Sequence, residues 1–172
     1  VVIFDSEEQP AGLGMLGIRD DRGWITRMGI IPERRQKGMG QCLMDGLLAA
    51  ARARLIQMVQ LEVIEGNEPA HRLFLKNCFQ ETRRLLVVRR PPAPLEIQPP
   101  PDTTVVSLTW DEVMACMAQR GPGASWVNEN ASLVKMNDMR GLRVKLPSGY
   151  SGWVVYQQST FELSHVICQS PA

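Results

Sequence analysis

The sequence predicts a mixed α/β (α+β) fold, in which a mixed central sheet flanked by helices is followed by a second, smaller α-α-β-β-β piece. Three observations lead to this prediction. Short apolar runs separated by turn residues indicate an antiparallel meander over residues 1–31. A basic, glycine-containing turn then leads directly into an amphipathic helix. After a proline-rich segment at residues 91–101, the order changes to two helices and three strands.

The first three predicted strands cover residues 1–4, 13–19 and 24–31, and an Asp-Asp-Arg-Gly turn joins the last two. Gly12, Gly14 and Gly17 match the spacing of a dinucleotide-binding loop. That loop requires glycines that follow a strand and open a helix. Here they lie inside a predicted strand, so we interpret them as glycines of the meander.

The next elements alternate between helix and strand. Apolar residues recur at helical spacing from residue 38 to about residue 54, and the apolar run at 58–64 predicts a buried parallel strand. Asn67 is the predicted N-cap of the following helix, and Asn77 is expected to end it in the left-handed conformation. A further strand is predicted at residues 85–89.

Six of the eleven residues at 91–101 are proline, which predicts a semi-rigid linker between residues 1–90 and 102–172. In the second part, the capping-box sequence Thr109-Trp110-Asp111-Glu112 opens one helix. Ser125 is expected to cap another, which runs to about Lys135. The remaining strands are predicted at 142–146, 152–157 and 161–168.

Composition argues against several classes of protein. The 172 residues carry a formal net charge of +1, so the chain as a whole is not an obvious nucleic-acid binder. No apolar run reaches membrane-spanning length and no signal peptide is visible, so we expect a cytoplasmic protein without a membrane segment. The four cysteines form no Cys-x-x-Cys pair or Cys/His cluster, so neither a metal site nor a disulfide framework is predicted.

The basic turn has the chemistry of an anion site. Gly38 and Gly40 allow the backbone to approach a ligand closely. The first amides of the next helix lack intrahelical partners and carry partial positive charge. Main-chain N–H groups, helped by basic side chains, are therefore predicted to hold a pyrophosphate. The stretch reads Ile30-Ile31-Pro32-Glu33-Arg34-Arg35-Gln36-Lys37-Gly38-Met39-Gly40-Gln41.

The spacing Arg35-x-x-Gly38-x-Gly40 after a strand end resembles the acyl-coenzyme A signature of the GNAT N-acetyltransferase superfamily. The resemblance covers roughly residues 1–90. The second part resembles the first half of such a domain but lacks this signature, so we do not expect it to bind coenzyme A. The chain thus looks like a tandem or rearranged member. Its second part either belongs to another domain or packs on the first, within the chain or across a homodimer. Further residues fall where the family has its second signature: Val63, Asn67, Ala70, Leu73 and Phe79.

The resemblance implies acetyl-CoA as the acyl donor, no metal, and a small-molecule or peptide amine as the acceptor. Met28 and Ile30 are expected to offer main-chain groups to the pantetheine arm and the thioester carbonyl. Asn67 is expected to contact the pantetheine arm, as well as to cap its helix. The residues expected to hold the pyrophosphate are Arg35, Gln36, Lys37, Gly38, Met39, Gly40 and Gln41.

The catalytic groups are less well indicated. In this family a deprotonated amine attacks the thioester, and many members have a Tyr that protonates the departing thiolate. Here that position is Phe74, and Tyr150 and Tyr156 lie only in the second part. Glu62, a charge in a predicted buried strand, is the candidate base or water-positioning residue; pairing with an arginine or exposure at an edge is the alternative. Two functions stay open: an acetyl-CoA-dependent N-acetyltransferase, and a non-catalytic acyl-CoA-binding or regulatory module.

Overall fold

The computed structural model describes residues 1–94, 98–160 and 162–169. The chain divides into two compact units, Val1–Arg84 and Leu85–Ala172. This division falls before the proline-rich segment, of which residues 95–97 lie outside the described residues. The roles predicted for residues 1–90 and 102–172 stay predictions, and each unit is described here by itself.

The first unit is built on a four-stranded sheet with the order β1-β2-β3-β4. The first three strands form the predicted antiparallel meander, and β4 runs parallel to β3. A parallel neighbour requires a crossover, which a helix provides here. The strands are Val2–Phe4 (β1), Pro10–Arg19 (β2), Arg22–Ile30 (β3) and Met58–Leu61 (β4).

Two helices belong to the same unit: Met39–Arg52 (α1) and Glu68–Lys76 (α2). One face of α1 is buried in the core, and its residues repeat at the predicted helical spacing. A Cβ at Gly14 of β2 would lie 2.7 Å from Leu47 Cδ1, so glycine at this position permits the close approach of α1 to the sheet. Gly14 is therefore a packing residue inside a strand, in agreement with the sequence interpretation. The buried residues of α1 are Leu43, Met44, Leu47 and Ala51.

β3 carries a bulge near its end. Leu13 pairs with Gly29 and Met15 pairs with Thr26, so two residues of β3, Arg27 and Met28, oppose a single residue of β2. Arg27 has a φ of 50°, which is uncommon for a residue with a side chain. A bulge bends its strand and changes the direction of the residues that follow. The direction in which the chain enters the basic turn therefore cannot be predicted from the alternation of side chains along β3.

The second unit has a four-stranded antiparallel sheet, in the order β5-β6-β7-β8, and a core of its own. It repeats the bulge of the first unit. Val155 pairs with Ile167 and Gln157 with Ser164, so β8 has one extra residue there, and His165 has a φ of 49°. The elements are Thr104–Ser107 (β5), Trp110–Ala118 (α3), Asn130–Met136 (α4), Met139–Lys145 (β6), Ser151–Gln158 (β7) and Leu163–Gln169 (β8).

Four details of the predicted elements are wrong. Residues 85–89 form no strand, because an apolar β-prone run needs a neighbour that pairs with its main chain, and none does so in the described part of the chain. The strand predicted at 58–64 stops at Leu61 and is only half-buried, because β4 lies at the edge of its sheet. Ser125 precedes a 3-10 turn, and α4 begins only at Asn130. β5 was not predicted, since it is short and exposed and exists through its pairing with β6.

The end of α2 also differs from the prediction. Asn77 has a φ of −94°, and the left-handed residue is Cys78 at 63°. The N–H of Phe79 donates to the carbonyl of Phe74 (3.1 Å) and that of Cys78 to Leu75 (3.0 Å). These two bonds define a Schellman motif, in which the position of Cys78 usually holds glycine. The rings of Phe74 and Phe79 supply its apolar contact, with centroids 6.1 Å apart.

Candidate functional site

The N-terminus of α1 is the centre of the candidate site. Gly38, the N-cap residue, has a φ of 78°, and no side chain caps the helix. The first intrahelical bond runs from the N–H of Cys42 to the carbonyl of Gly38 (3.1 Å). The amides of Met39, Gly40 and Gln41 precede that bond and have no acceptor within the helix. Together with the helix dipole, they suit an anionic group.

The two glycines of the turn face different surroundings. A Cβ at Gly38 would meet no atom within 4 Å, so this residue faces open space. A Cβ at Gly40 would lie 3.3 Å from Leu73 Cδ2, so this residue faces α2. A ligand can therefore approach the turn at Gly38, while Gly40 permits close packing of the two helices.

One basic side chain of the turn is already neutralised within the protein. Arg34 donates through Nε to Asp5 Oδ2 (2.8 Å), and its Nη2 lies 2.7 Å from the same oxygen. The N–H of Gln9 lowers the pKa of Asp5 below its ordinary value, burial of the carboxyl opposes this shift, and the Arg34 guanidinium adds to it. Arg34 thus ties the turn to the β1–β2 loop rather than contributing a free charge.

The other two basic residues remain available to a ligand to different degrees. Arg35 donates through Nε to the carbonyl of Ile30 (3.0 Å), and its residue is exposed. Lys37 is exposed and makes no ion pair with the described residues. Gln36 has a φ of 60°, so the turn contains a second left-handed residue just before Gly38. The exposed turn accordingly presents the ammonium of Lys37 and the outer guanidinium nitrogens of Arg35.

β3 and β4 separate beside this turn. Their parallel ladder ends at the pair Ile25–Leu61, whereas β3 continues to Ile30. The N–H of Ile31 donates to the carbonyl of Ala11 (3.0 Å), so by strand alternation the main chain of Ile30 points away from β2. Met28 belongs to the bulge, where this alternation is interrupted, so its direction does not follow from that bond. The main chain of Ile30 therefore lines the side of β3 that β4 has left, and its carbonyl there accepts the bond from Arg35 Nε. The predicted contact of Met28 with the pantetheine arm stays a prediction.

Asn67 caps α2 as predicted. Its side chain accepts a hydrogen bond from the N–H of Ala70 (3.4 Å), and it precedes the helix by one residue. The structure supports the capping role directly. The predicted contact with the pantetheine arm stays a prediction.

Glu62 is not the buried charge that the sequence suggested. β4 ends one residue before it, and Glu62 is exposed. The premise of an unpaired charge inside a buried strand is therefore wrong, and the alternative, exposure at an edge, is confirmed, because β4 is an edge strand and stops early. A role for Glu62 as the base stays a prediction. Glu65, three residues later, pairs with Arg84, whereas Glu62 has no ion pair among the described residues. Its position directly after β4 places it where β3 and β4 diverge.

Comparisons with known proteins agree with this geometry. Residues 1–78 match the acetyltransferase (GNAT) family. The first unit belongs to the GNAT family. No curated protein sequence matches the chain.

Three solved structures illustrate the likeness. A GCN5-related N-acetyltransferase from Sphaerobacter thermophilus shares 17% identity at a TM-score of 0.58, over 92% of this chain and 56% of that one. A candidate acetyltransferase from Pyrococcus horikoshii shares 17% identity at a TM-score of 0.54, over 92% of this chain and 55% of that one. The ribosomal-protein-S18-alanine N-acetyltransferase from Escherichia coli shares 20% identity at a TM-score of 0.43, over 46% and 50%. The chain thus spans about half the length of these structures, and the first two show a GNAT-like fold.

In this GNAT unit, the residue at the tyrosine position is part of the core. Phe74 is buried beside the core residues of α1, and its ring contacts Phe79 edge-on. It carries no hydroxyl, so it has no proton to donate. Phenylalanine at this position therefore adds to the apolar core and supplies no proton donor.

Several residues that shape the basic turn and the first turn of α1, together called the cradle, were missed by the sequence reasoning. Asp5, the partner of Arg34, is 29 residues distant in the chain. Asn77, which bonds to Gln41, is 36 residues distant. No local pattern signals either pair, because each depends on which elements meet in the fold. The bulge at Arg27 likewise has no glycine or proline that would have marked it.

Two absences complete the description of the site. No helix in residues 1–94, 98–160 and 162–169 is long and apolar enough to cross a membrane. The same residues contain no group of three or more His, Cys, Asp or Glu side chains that could hold a metal ion.

Proposed function

We propose that the chain carries an acetyl-CoA-dependent N-acetyltransferase, which transfers an acyl group to an amine that is still to be identified. One observation supports the proposal above the others: a GNAT unit in which the uncapped N-terminus of α1 faces open space at Gly38. Three amides and the helix dipole suit the pyrophosphate of coenzyme A there. If the N-terminus of α1 binds another ligand instead, that ligand should be an anion of charge similar to that of pyrophosphate.

The same geometry supports the remaining cofactor contacts that we propose. Lys37 and Arg35 add positive charge beside the pyrophosphate. The main chain of Ile30 lines the separation of β3 and β4, where we propose that an extended pantetheine arm replaces the missing strand partner and also contacts the main chain of Met28. Asn67 lies beyond the end of β4 and has an amide nitrogen that its cap bond does not use. Together these residues would position the thioester for attack.

The chemistry is a direct transfer. The amine nitrogen forms a bond to the thioester carbonyl carbon, the carbon–sulfur bond breaks, and coenzyme A leaves as a thiolate. We propose that Glu62, exposed just after β4, receives the amine proton directly or through a water molecule. Since Phe74 has no proton to donate, solvent water would protonate the thiolate.

A second candidate is a non-catalytic acyl-CoA-binding or regulatory module. Phe74 favours it, because a site without the usual proton donor has lost one contribution to the release of the thiolate. Binding would then be retained and turnover lost. This reading predicts the same cofactor contacts and no role for Glu62.

We also propose that the second unit is the first half of a further GNAT-like domain. It has the order of strand, two helices and three strands, and its last strand bears the same bulge as β3. The alignment of 92% of the chain with longer GNAT-like structures supports this assignment. Within the described residues, this unit has no counterpart of the Arg35-x-x-Gly38-x-Gly40 turn.

A titration with two acyl donors tests the cofactor assignment. Acetyl-CoA and S-acetylpantetheine share the thioester, but only acetyl-CoA has the pyrophosphate. If α1 binds that group, we expect affinity for acetyl-CoA to be at least about tenfold higher, the equivalent of roughly 1.4 kcal/mol. Equal affinity for both, or no binding of either, would contradict the proposed cradle.

Turnover distinguishes the enzyme from the binding module. Release of free thiol from acetyl-CoA would be followed with a panel of primary amines and short peptides. Glu62→Gln is expected to lower the rate about 100-fold or more, within the usual range for losing a general base. Glu68→Gln, another exposed carboxylate nearby, serves as the control and is expected to change little. Tight acetyl-CoA binding without thiol release on any amine would favour the regulatory module.

A further inference from the structure

The first turn of α1 rests on the last turns of α2 through a small polar bridge. Gln41 Nε2 donates to Asn77 Oδ1 (2.8 Å), and Asn77 Nδ2 donates to Gln41 Oε1 (3.2 Å). Gln41 Nε2 also donates to Asp45 Oδ1 (2.8 Å), and Asn77 Nδ2 to the carbonyl of Leu73 (2.8 Å). The two side-chain amides therefore bond to each other, and each also donates to one outer acceptor, which is Asp45 for Gln41 and Leu73 for Asn77.

The outer partners determine how the two amides are oriented. A carboxylate and a main-chain carbonyl accept hydrogen bonds only. Gln41 must therefore turn its nitrogen toward Asp45, and Asn77 must turn its nitrogen toward Leu73. With both orientations set, all four N–H groups of the bridge have acceptors. A half-buried network that is fully satisfied holds its members in a single arrangement.

An apolar contact adds to the bridge. A Cβ at Gly40 would lie 3.3 Å from Leu73 Cδ2, so the helix backbone here is already close to α2. Leu73 and Asn77 are four residues apart and lie on one face of α2. They contact two consecutive residues of α1, Gly40 and Gln41, whose N–H groups belong to the open end of the helix. This face of α2 therefore supports the part of α1 that is proposed to bind pyrophosphate.

We infer that Asn77 is a positioning residue for coenzyme A binding. It touches no ligand; it holds Gln41, and through Gln41 the amides of the first turn, in the orientation that an anion requires. The inference rests on the proposed function of the α1 N-terminus. It differs from a general stability role, because its effect on affinity should require Gln41.

A double-mutant cycle on the full chain tests this coupling. Acetyl-CoA affinity would be measured for the parent, Asn77→Ala, Gln41→Ala and the double variant. Each single change is expected to lower the affinity for acetyl-CoA about tenfold. The double change is expected to lower it by no more than about twice the factor of a single change, because all three variants lose the same bridge. Effects that multiply would show that the two residues act separately, which would overturn the inference.

Ala51→Gly is the matched control for lost stability. Ala51 is buried near the other end of α1, about 18 Å from its first residue at 1.5 Å per residue. Glycine there destabilises the helix by roughly 1 kcal/mol without changing the bridge. Its acetyl-CoA affinity is expected to stay within about twofold of the parent. A loss as large as that of Asn77→Ala would mean that stability alone explains both.

Hydrogen exchange of the free protein separates this inference from the proposed function. The Cys42 N–H, bonded to the Gly38 carbonyl, reports on the first turn. We expect Asn77→Ala to speed its exchange about tenfold beyond any change at the middle of α1, and Ala51→Gly not to do so. If the parent fails to bind acetyl-CoA, the proposed function fails while this measurement still tests the bridge. Unchanged exchange at Cys42 would refute the bridge even if acetyl-CoA binds.

Discussion

Each unit contains a helix that begins shortly after a strand, and the two helix N-termini are built in opposite ways. α1 starts after Gly38, which is left-handed, and has neither a side-chain cap nor an acidic residue in its first turn. α3 starts after Thr109, which is extended with a φ of −68°, and has Asp111 and Glu112 in its first turn. One helix end is left open and positive, and the other is closed by the chain.

The bonds of α3 show what closes a helix end. The N–H of Glu112 donates to Thr109 Oγ1 (3.4 Å), and the N–H of Thr109 donates to Glu112 Oε2 (2.9 Å). Arg143 Nη1 donates to Glu112 Oε1 (3.1 Å) and holds the carboxylate from β6. The N-terminal end of α3 is thus satisfied within the chain, whereas the first amides of α1 have no acceptor within the helix and are proposed to bind an external anion. The comparison teaches that the N-cap residue decides whether the first amides of a helix are satisfied by the chain or remain available to a ligand.

Closing the end of α1 should have the largest effect. Gly38→Asp places a carboxylate where the pyrophosphate is proposed to bind, and we expect acetyl-CoA affinity to fall at least about 100-fold, or roughly 2.7 kcal/mol. Calorimetric titration measures the change. Gly149→Asp is the control, because Gly149 has a similar φ of 89° and open space but lies in the second unit. A similar loss in the control would attribute the effect to backbone strain.

Opening the end of α3 should cost stability and leave affinity unchanged. Thr109→Ala removes one partner of the capping box, and we expect the free energy of unfolding to fall by about 1 kcal/mol. For a unit of this size, thermal unfolding would shift by roughly 4–8 °C. Thr109→Ser retains the hydroxyl and should lie close to the parent. Equal losses of stability in Thr109→Ala and Thr109→Ser would contradict the capping role of the hydroxyl.

The C-terminal ends of the helices offer a graded version of the same test. Leu55 after α1 and Cys78 after α2 have φ values of 57° and 63°, and Asn137 after α4 has 52°. Glycine relieves the steric cost of this conformation, so Leu55→Gly and Cys78→Gly should each raise stability by up to about 1 kcal/mol. Asn137→Gly should gain less, since asparagine tolerates the conformation. Denaturant unfolding would measure all three, and equal gains would contradict the ranking.

The smallest expected effect is a pH dependence confined to α3. The N–H and side chain of Thr109 lower the pKa of Glu112 below its ordinary value, burial opposes this shift, and Arg143 adds to it. A carboxylate with a lowered folded-state pKa stabilises the folded state above its unfolded-state pKa, and this contribution is lost as pH falls through the folded value. The Thr109 amide signal should therefore titrate below the usual range of glutamate. Glu112→Gln should abolish that titration, and a Thr109 shift that persists would assign it to another group.

The local elements of the site could be predicted from the sequence. The capping box at Thr109, the cap at Asn67 and the turn from Arg35 to Gly40 all lie where the sequence placed them. Each depends on residues within a few positions of one another, so backbone geometry alone relates the pattern to the structure. The resemblance to the GNAT family was likewise recognised from two such local patterns, the turn from Arg35 to Gly40 and the segment around Asn67, at the separation that the family has.

Other features of the site depend on contacts that no local pattern contains. Arg34 was expected to add charge to the cradle and instead pairs with Asp5. Glu62 was expected inside a strand and is exposed, since β4 has a neighbour on one side only. Residues 85–89 have the composition of a strand but no partner in the described chain. In each case the identity of the neighbour determined the outcome.

The sequence by itself determined that this chain has a helix end without a side-chain cap after a strand, with the chemistry of an anion site, because glycine, charge and helix geometry act over a few residues. Tertiary structure decided which groups are free to meet that anion. Arg34 pairs with Asp5, and the main chain of Ile30 faces the gap between β3 and β4. Asn77 is bonded to the side chain of Gln41. Those outcomes depend on pairs far apart in the chain, whose contact is set by how the helices and the sheet pack.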